Sequence, residues 1–264
     1  MLPAGVITIG IPPEIDVGPI SLAWHGLTIV LGIAIAAAAA ARWARGRGLD
    51  PEPMYTLTGL LAISGLVGGR LFYVLEHGGA LLGTRGFTFD GGFILAAIVL
   101  LIYVRRSNLD VRLLDVIAVW LPLGVAIGRL GDVINGEHHG ARSDGLLAVR
   151  NSHPDALTPD SRFAYENGGL YEVLLGLVLF AAMWALRNRL TRPGDLAWTV
   201  IGLFAIGRFF VFFLRSDSPD LALGLSNAQW TSILLLAVAI AGRAIGVRRS
   251  DGTVRRAPPQ PRSR

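Results

Sequence analysis

No cysteine occurs among the 264 residues, which excludes disulfides, thiolate metal sites and a cysteine nucleophile on the chain itself. Lysine is absent too, so all 24 basic residues are arginine. Charge of either sign is scarce: 16% of residues, where a soluble domain carries roughly a quarter. With 52% hydrophobic residues and a mean hydropathy of +0.53, the composition is that of a membrane protein. The alanine, glycine and proline content matches the coding bias of a GC-rich genome, so the number of arginines says little and their positions matter. The opening "MLPAGVITIGIPPEIDVGPI" has no basic stretch and is broken by Pro12 and Pro13, so it does not read as a cleavable signal peptide.

Seven apolar segments approach the roughly 20 residues that a spanning helix needs. They lie at 20–42, 54–76, 88–104, 113–133, 169–187, 195–214 and 228–247. The third is the shortest and opens on two glycines. The expectation is an all-α polytopic membrane protein of about seven transmembrane helices. Basic residues crowd the connections after spans one (Arg42, Arg45, Arg47), three (Arg105, Arg106, Arg112) and five (Arg187, Arg189, Arg192), and the C-terminal tail. That asymmetry places the N-terminus outside and the C-terminus in the cytoplasm. A single transmembrane domain over 1–248 is expected, with an extracytoplasmic loop at 134–168. The tail, 249–264, is basic and proline-rich without apolar periodicity, and is expected to be a disordered cytoplasmic segment. The two halves show no internal repeat, which argues against a repeat-built transporter.

Three arginines fall inside apolar spans, where an ionisable group marks function by default. Arg70 lies in "SGLVGGRLFYVLEH", Arg129 in "GRLGDVINGEHHG" (128–140) and Arg208 in "FAIGRFFVFFLR". A structural alternative holds for each: an arginine bonded to helix carbonyls or to one carboxylate. Arg129, Asp132 and Asn135 share one face if their helix continues that far, and Phe204, Arg208, Phe212 and Arg215 form another stripe. Arg129, Arg208 and Arg215 near the outer ends of two spans suit the phosphate of a lipid headgroup. His138, His139 and His153 fall in or beside an outer loop, where histidines are usually solvated, and no metal is invoked.

"GRLGDVINGEHHG" resembles the signature of the bacterial prolipoprotein diacylglyceryl transferases. Further motifs follow in the family's order: "AWHGLTIVLG", "GGRLFYVL", "GFTFDGGFILA", "LYEVLLGL", "GRFFVFFLR" and "NAQWTSI". The resemblance implies an enzyme of the cytoplasmic membrane. It would move a diacylglyceryl group from phosphatidylglycerol to the thiol of a lipobox cysteine in a preprolipoprotein, releasing glycerol phosphate. No cofactor and no nucleic acid are implied. The motif match carries substrate-binding roles onto Arg129, Asn135, Glu137 and Gly140, with Asp132, Arg70, Arg208 and Arg215 beside them.

The chain departs from the family pattern at named positions. The family's histidine before Gly-Gly is Asp90, its first-span tyrosine is His25, and the signature's first asparagine is Asp132. A tyrosine is replaced by Phe204 and a glutamate by Phe212, while "ENGG" (166–169) stands for His-Pro-Ser-Gln. Losing a glutamate at 212 and gaining Asp132 reads as one carboxylate moved between neighbouring helices. Asp90 or His25 is then the candidate base, and Arg129 and Arg208 the candidate catalytic cations. Glu172 is expected to face the bundle and hold a neighbour. Two other readings stay open: a paralogue that binds anionic phospholipid without this transfer, and a small transporter, which the dominance of arginine over acidic ion sites disfavours.

Overall fold

The computed structural model describes residues 5–18, 20–81, 88–107 and 109–255; the side chains of Ile20, Phe89, Asp90 and 247–255 are left out of the description. Among the described residues are seven α-helices: α1 (Trp24–Gly46), α2 (Glu52–His77), α3 (Phe89–Arg106), α4 (Val111–Asn135), α5 (Gly168–Leu186), α6 (Asp195–Val211) and α7 (Asn227–Arg255). Six, all but α3, are long and apolar enough to cross a membrane. The protein is a polytopic membrane protein. α3 has 18 residues, and Asp90, Arg105 and Arg106 at its ends leave no long uncharged window. α7 continues past residue 248 to Arg255, and residues 256–264 of the tail lie outside those described.

The first apolar segment does not become helical at residue 20. Residues Ile20–Ala23 form a strand, β3, antiparallel to β2 (Glu14–Val17). Trp24 is tied back to the proline pair, its backbone N–H donating to the Pro13 carbonyl and its indole N–H to that of Pro12. α1 therefore begins only at Trp24.

The 134–168 loop is also structured. Its strands β4 (His139–Arg142), β5 (Val149–Asn151) and β6 (Tyr165–Asn167) join β1 (Ile7–Ile9) in a four-stranded sheet of order β1-β5-β6-β4. β1 and β5 run parallel and the other pairs antiparallel. A last hairpin pairs β7 (Asp220–Ala222) with β8 (Leu225–Ser226).

The chain divides into two compact units. One, Ala36–Ile117, contains α2 and α3, which meet where Gly68 faces the Gly91 carbonyl so closely that a Cβ would lie 2.4 Å from it. The other comprises Met1–Ile35 and Ala118–Arg264, and holds the sheet, α5–α7 and the C-terminal part of α4. Within it α1 and α4 cross at very short range: a Cβ on Gly131 would lie 2.5 Å from His25 Cα. Thr28 fixes the crossing, its hydroxyl donating to the Gly128 carbonyl (2.8 Å) and accepting from the Gly131 N–H (3.1 Å). That approach sets His25 over the last turns of α4.

Candidate functional site

α4 does continue to Asn135, so Arg129, Asp132 and Asn135 share its face. Gly136 then turns in the left-handed region (φ 77), which ends the helix, and His138 follows with φ 61. Buried Asn151 of β5 closes the helix end, donating to the Val133 and Ile134 carbonyls at 2.9 Å each. The turn sends His138 back toward α4, and Gly168 N–H holds it by donating to its carbonyl at 2.7 Å.

Asp132 is fully buried and lies at the centre of a charge network. His25 Nδ1 contacts its Oδ1; Arg129 Nη1 donates to its Oδ2 at 2.6 Å, and His138 Nε2 lies 3.4 Å from the same oxygen. Arg129 Nε also sits 2.5 Å from Glu172 Oε2 of α5, a close ion contact, while Arg208 Nη1 donates to Glu172 Oε1 at 2.9 Å. Glu172, 1% exposed, thus lies between two guanidiniums, as a bundle-facing acid should.

Arg215 follows a 3₁₀ turn (Phe212–Leu214), so the expected helical stripe stops at α6's end. Its Nε and Nη2 donate to Asp217 at 2.8 and 2.7 Å, and Nη2 lies 2.8 Å from His138 Nδ1. Phe212 packs against both arginines: the guanidinium carbons of Arg208 and Arg215 lie 4.7 and 4.3 Å from its ring centre. The Phe212 face is thus a cation–π neighbour of both arginines, while their carboxylate partners are Glu172 for Arg208 and Asp217 for Arg215.

The arginines are thus not bare cations awaiting an anion. Asp132, Glu172 and Asp217 partner Arg129, Arg208 and Arg215. Outside the spans, burial opposes the charged form of His138, but hydrogen bonds to Asp132 and Asp217 outweigh it and raise its pKa above the usual 6.5. Burial likewise works against the Asp217 carboxylate, yet hydrogen bonds from His138 and Arg215 hold its pKa far below 3.8.

His25 opens this network to solvent. With Asn135 and Glu137 it lines a cavity of about 600 Å³ bounded also by Pro12, Pro13 and Asp155. Asn135 donates to Glu137 Oε1 at 2.8 Å, while its own buried Oδ1 has no hydrogen-bond partner. Ligand-type atoms of His25, Asp132 and Glu137 lie within 4.8 Å of one another, close enough for a divalent cation in principle. Asp132, however, already answers Arg129, and a cation there would sit against a guanidinium; the donor set fits hydrogen bonding better.

Gly140 is not a member of this charge network. It serves packing: a Cβ there would lie 2.0 Å from the Leu214 carbonyl oxygen, so only glycine lets β4 pass the end of α6. Arg70 belongs to the other unit, where its guanidinium donates to the Ala80 and Leu81 carbonyls, the structural alternative for an intramembrane arginine. Asp90 is in the first turn of α3 in that unit, and its side chain falls outside those described. His138, expected to be solvated, is instead part-buried among four charged groups. Asp217 was not singled out by sequence; its only signal is its place two residues after Arg215.

The profile of the family described as prolipoprotein diacylglyceryl transferase matches residues 12–245. The chain belongs to that family. A Dehalococcoides mccartyi phosphatidylglycerol–prolipoprotein diacylglyceryl transferase is 32% identical over 239 residues, 87% of this chain and 91% of the relative. The Chromohalobacter salexigens enzyme of the same name is 32% identical over 251 residues (89% and 91%), and a Neisseria meningitidis one 29% over 269 (88% and 94%). Within this transferase family, the His25–Asp132 pair stands where the resemblance implies a tyrosine and an asparagine.

Proposed function

We propose that this chain transfers the diacylglyceryl group of phosphatidylglycerol to the lipobox cysteine thiol of a preprolipoprotein, in the bacterial cytoplasmic membrane. The arginine-rich connections support an extracytoplasmic N-terminus, with the C-terminal end of α4 on the same side. The observation that carries the reading is the imidazole–carboxylate pair His25–Asp132, open to a cavity and adjoining Arg129.

In the reaction, His25 accepts the thiol proton while Asp132 orients and stabilises the imidazolium. The thiolate sulfur attacks the diacylglyceryl CH₂ carbon that is bonded to the phosphate oxygen. The S–C thioether forms as the C–O bond breaks, and its electron pair leaves with glycerol phosphate, which takes up the proton. Arg129 and Arg215 hold the phosphate and stabilise the charge that develops on it. Arg208, more deeply buried and paired with Glu172, positions the carboxylate that steadies Arg129. Asn135 and Glu137 line the approach.

The test uses purified protein, phosphatidylglycerol and a lipobox peptide with one cysteine. Expected is a thioether-linked diacylglyceryl product that the Cys→Ser peptide does not give. The aspartate at 90, where family members carry histidine, favours a second reading, lipid binding without transfer. Lipid binding with no product would overturn the transferase reading in its favour.

A further inference from the structure

His138 has no part in the reaction just described, yet its surroundings are the most heavily charged of any histidine among the described residues. Each ring nitrogen faces one guanidinium and one carboxylate. Nε2 lies 3.3 Å from Arg129 Nη1 and 3.4 Å from Asp132 Oδ2, both on α4. Nδ1 lies 2.8 Å from Arg215 Nη2 and 3.3 Å from Asp217 Oδ2, both beyond α6. Behind these, Glu172 of α5 backs Arg129, and His25 of α1 holds the other oxygen of Asp132.

The carboxylates already engage the arginines that are to hold a phosphate. Every guanidinium that turns to a bound phosphate leaves a carboxylate behind, and for fully buried Asp132 that loss is strongly unfavourable. One group touches both abandoned carboxylates. An imidazole donates from both nitrogens only when protonated, and His138 already reaches Asp132 with one nitrogen and Asp217 with the other.

We propose that His138 is a positioning residue for the phospholipid substrate: as imidazolium it takes over Asp132 and Asp217 when Arg129 and Arg215 turn to the headgroup phosphate. This rests on the reading that those arginines bind the phosphate. Lipid binding is then linked to uptake of one proton. The sign follows from the geometry: binding withdraws two cations from the imidazole and leaves two anions, so its pKa rises further on binding. Affinity is greatest where His138 is already protonated. It falls as pH rises through the free protein's His138 pKa, which lies above 6.5, by up to about tenfold per pH unit.

The test measures binding of a short-chain phosphatidylglycerol to the full-length protein in detergent between about pH 6 and about pH 9, where a lysine keeps its charge. Because His138 has a positive φ, asparagine is the neutral replacement that the backbone tolerates. Wild type is expected to lose affinity up this range. His138→Asn should bind weakly at all pH values, and His138→Lys should hold its affinity to the alkaline end. Calorimetry of the wild type in two buffers of different ionisation enthalpy counts the protons taken up, independently of any variant. A wild-type pH profile that His138→Asn leaves unchanged, or binding with no proton uptake across the range, overturns the proposal while phosphate binding stands. No binding at any pH overturns both.

Discussion

Replacing Asp132 by asparagine restores the residue expected from the family motif, and in this chain it should be harmful. The Asp132 carboxylate is fully buried and answers His25, Arg129 and His138 together. The asparagine side chain would carry no charge and would turn an amide N–H₂ toward one of these donors. Removing one partner of a buried ion pair costs about 3–5 kcal/mol. Glu172 still holds Arg129 from the other side, which argues for the lower end of that range. The compensating change is Phe212→Glu, which puts a carboxylate beside Arg208 and Arg215. Alone, it forfeits cation–π contacts of about 0.5–2 kcal/mol and adds one acid too many to the cluster. Together, the two changes restore the charge count, and a favourable coupling of about 1–3 kcal/mol is expected. The assay is the unfolding free energy of all four forms in mixed micelles titrated with a denaturing detergent. The reasoning fails if Asp132→Asn costs less than about 1 kcal/mol, or if the double variant is additive within about 0.5 kcal/mol.

Further outcomes follow from the same contacts. His25→Ala should lower the rate of thioether formation by about 10²- to 10⁴-fold, the usual worth of a positioned base, with lipid affinity nearly unchanged; single-turnover kinetics separates the two. Gly140→Ala should force β4 away from the end of α6 and leave the 139–168 region open to limited proteolysis, where wild type resists. Asp217 has a depressed pKa, so its stabilisation is fully present above pH 3.8 and is lost as pH falls toward its folded value. Asp217→Asn should therefore shrink the fall in stability on the acid side, measured as the unfolding midpoint against pH.

The helices were legible because a bilayer demands long apolar runs, and those runs stand out against charged connections. All seven expected segments are helical, with ends that shift by a few residues. The start of α1 was not legible, because "ISLA" is as apolar as a helix and only its pairing with Glu14–Val17 makes it a strand. Nor was the sheet: its strands are three or four residues long, and the β1–β5 pair brings Ile7 beside Val149, far along the chain. In the site, the α4 face of Arg129, Asp132 and Asn135 followed from helical periodicity, and the bundle-facing place of Glu172 from its position in an apolar span. His138 was missed because its role depends on two positive φ values near the helix end, at Gly136 and at His138 itself, which local polarity does not reveal. Asp217 was missed because its partner His138 is brought to it by a turn after α4 that no periodicity encodes.

The central claim is that transfer occurs at the C-terminal end of α4. Its most direct test measures thioether product from phosphatidylglycerol and a lipobox peptide, comparing wild type with Arg129→Ala and Arg129→Lys, each checked for membrane insertion. The account predicts that Arg129→Ala inserts normally but gives no product. An Arg129→Ala protein that fails to fold, with Arg129→Lys folding and transferring at the wild-type rate, would contradict it and leave Arg129 a structural cation.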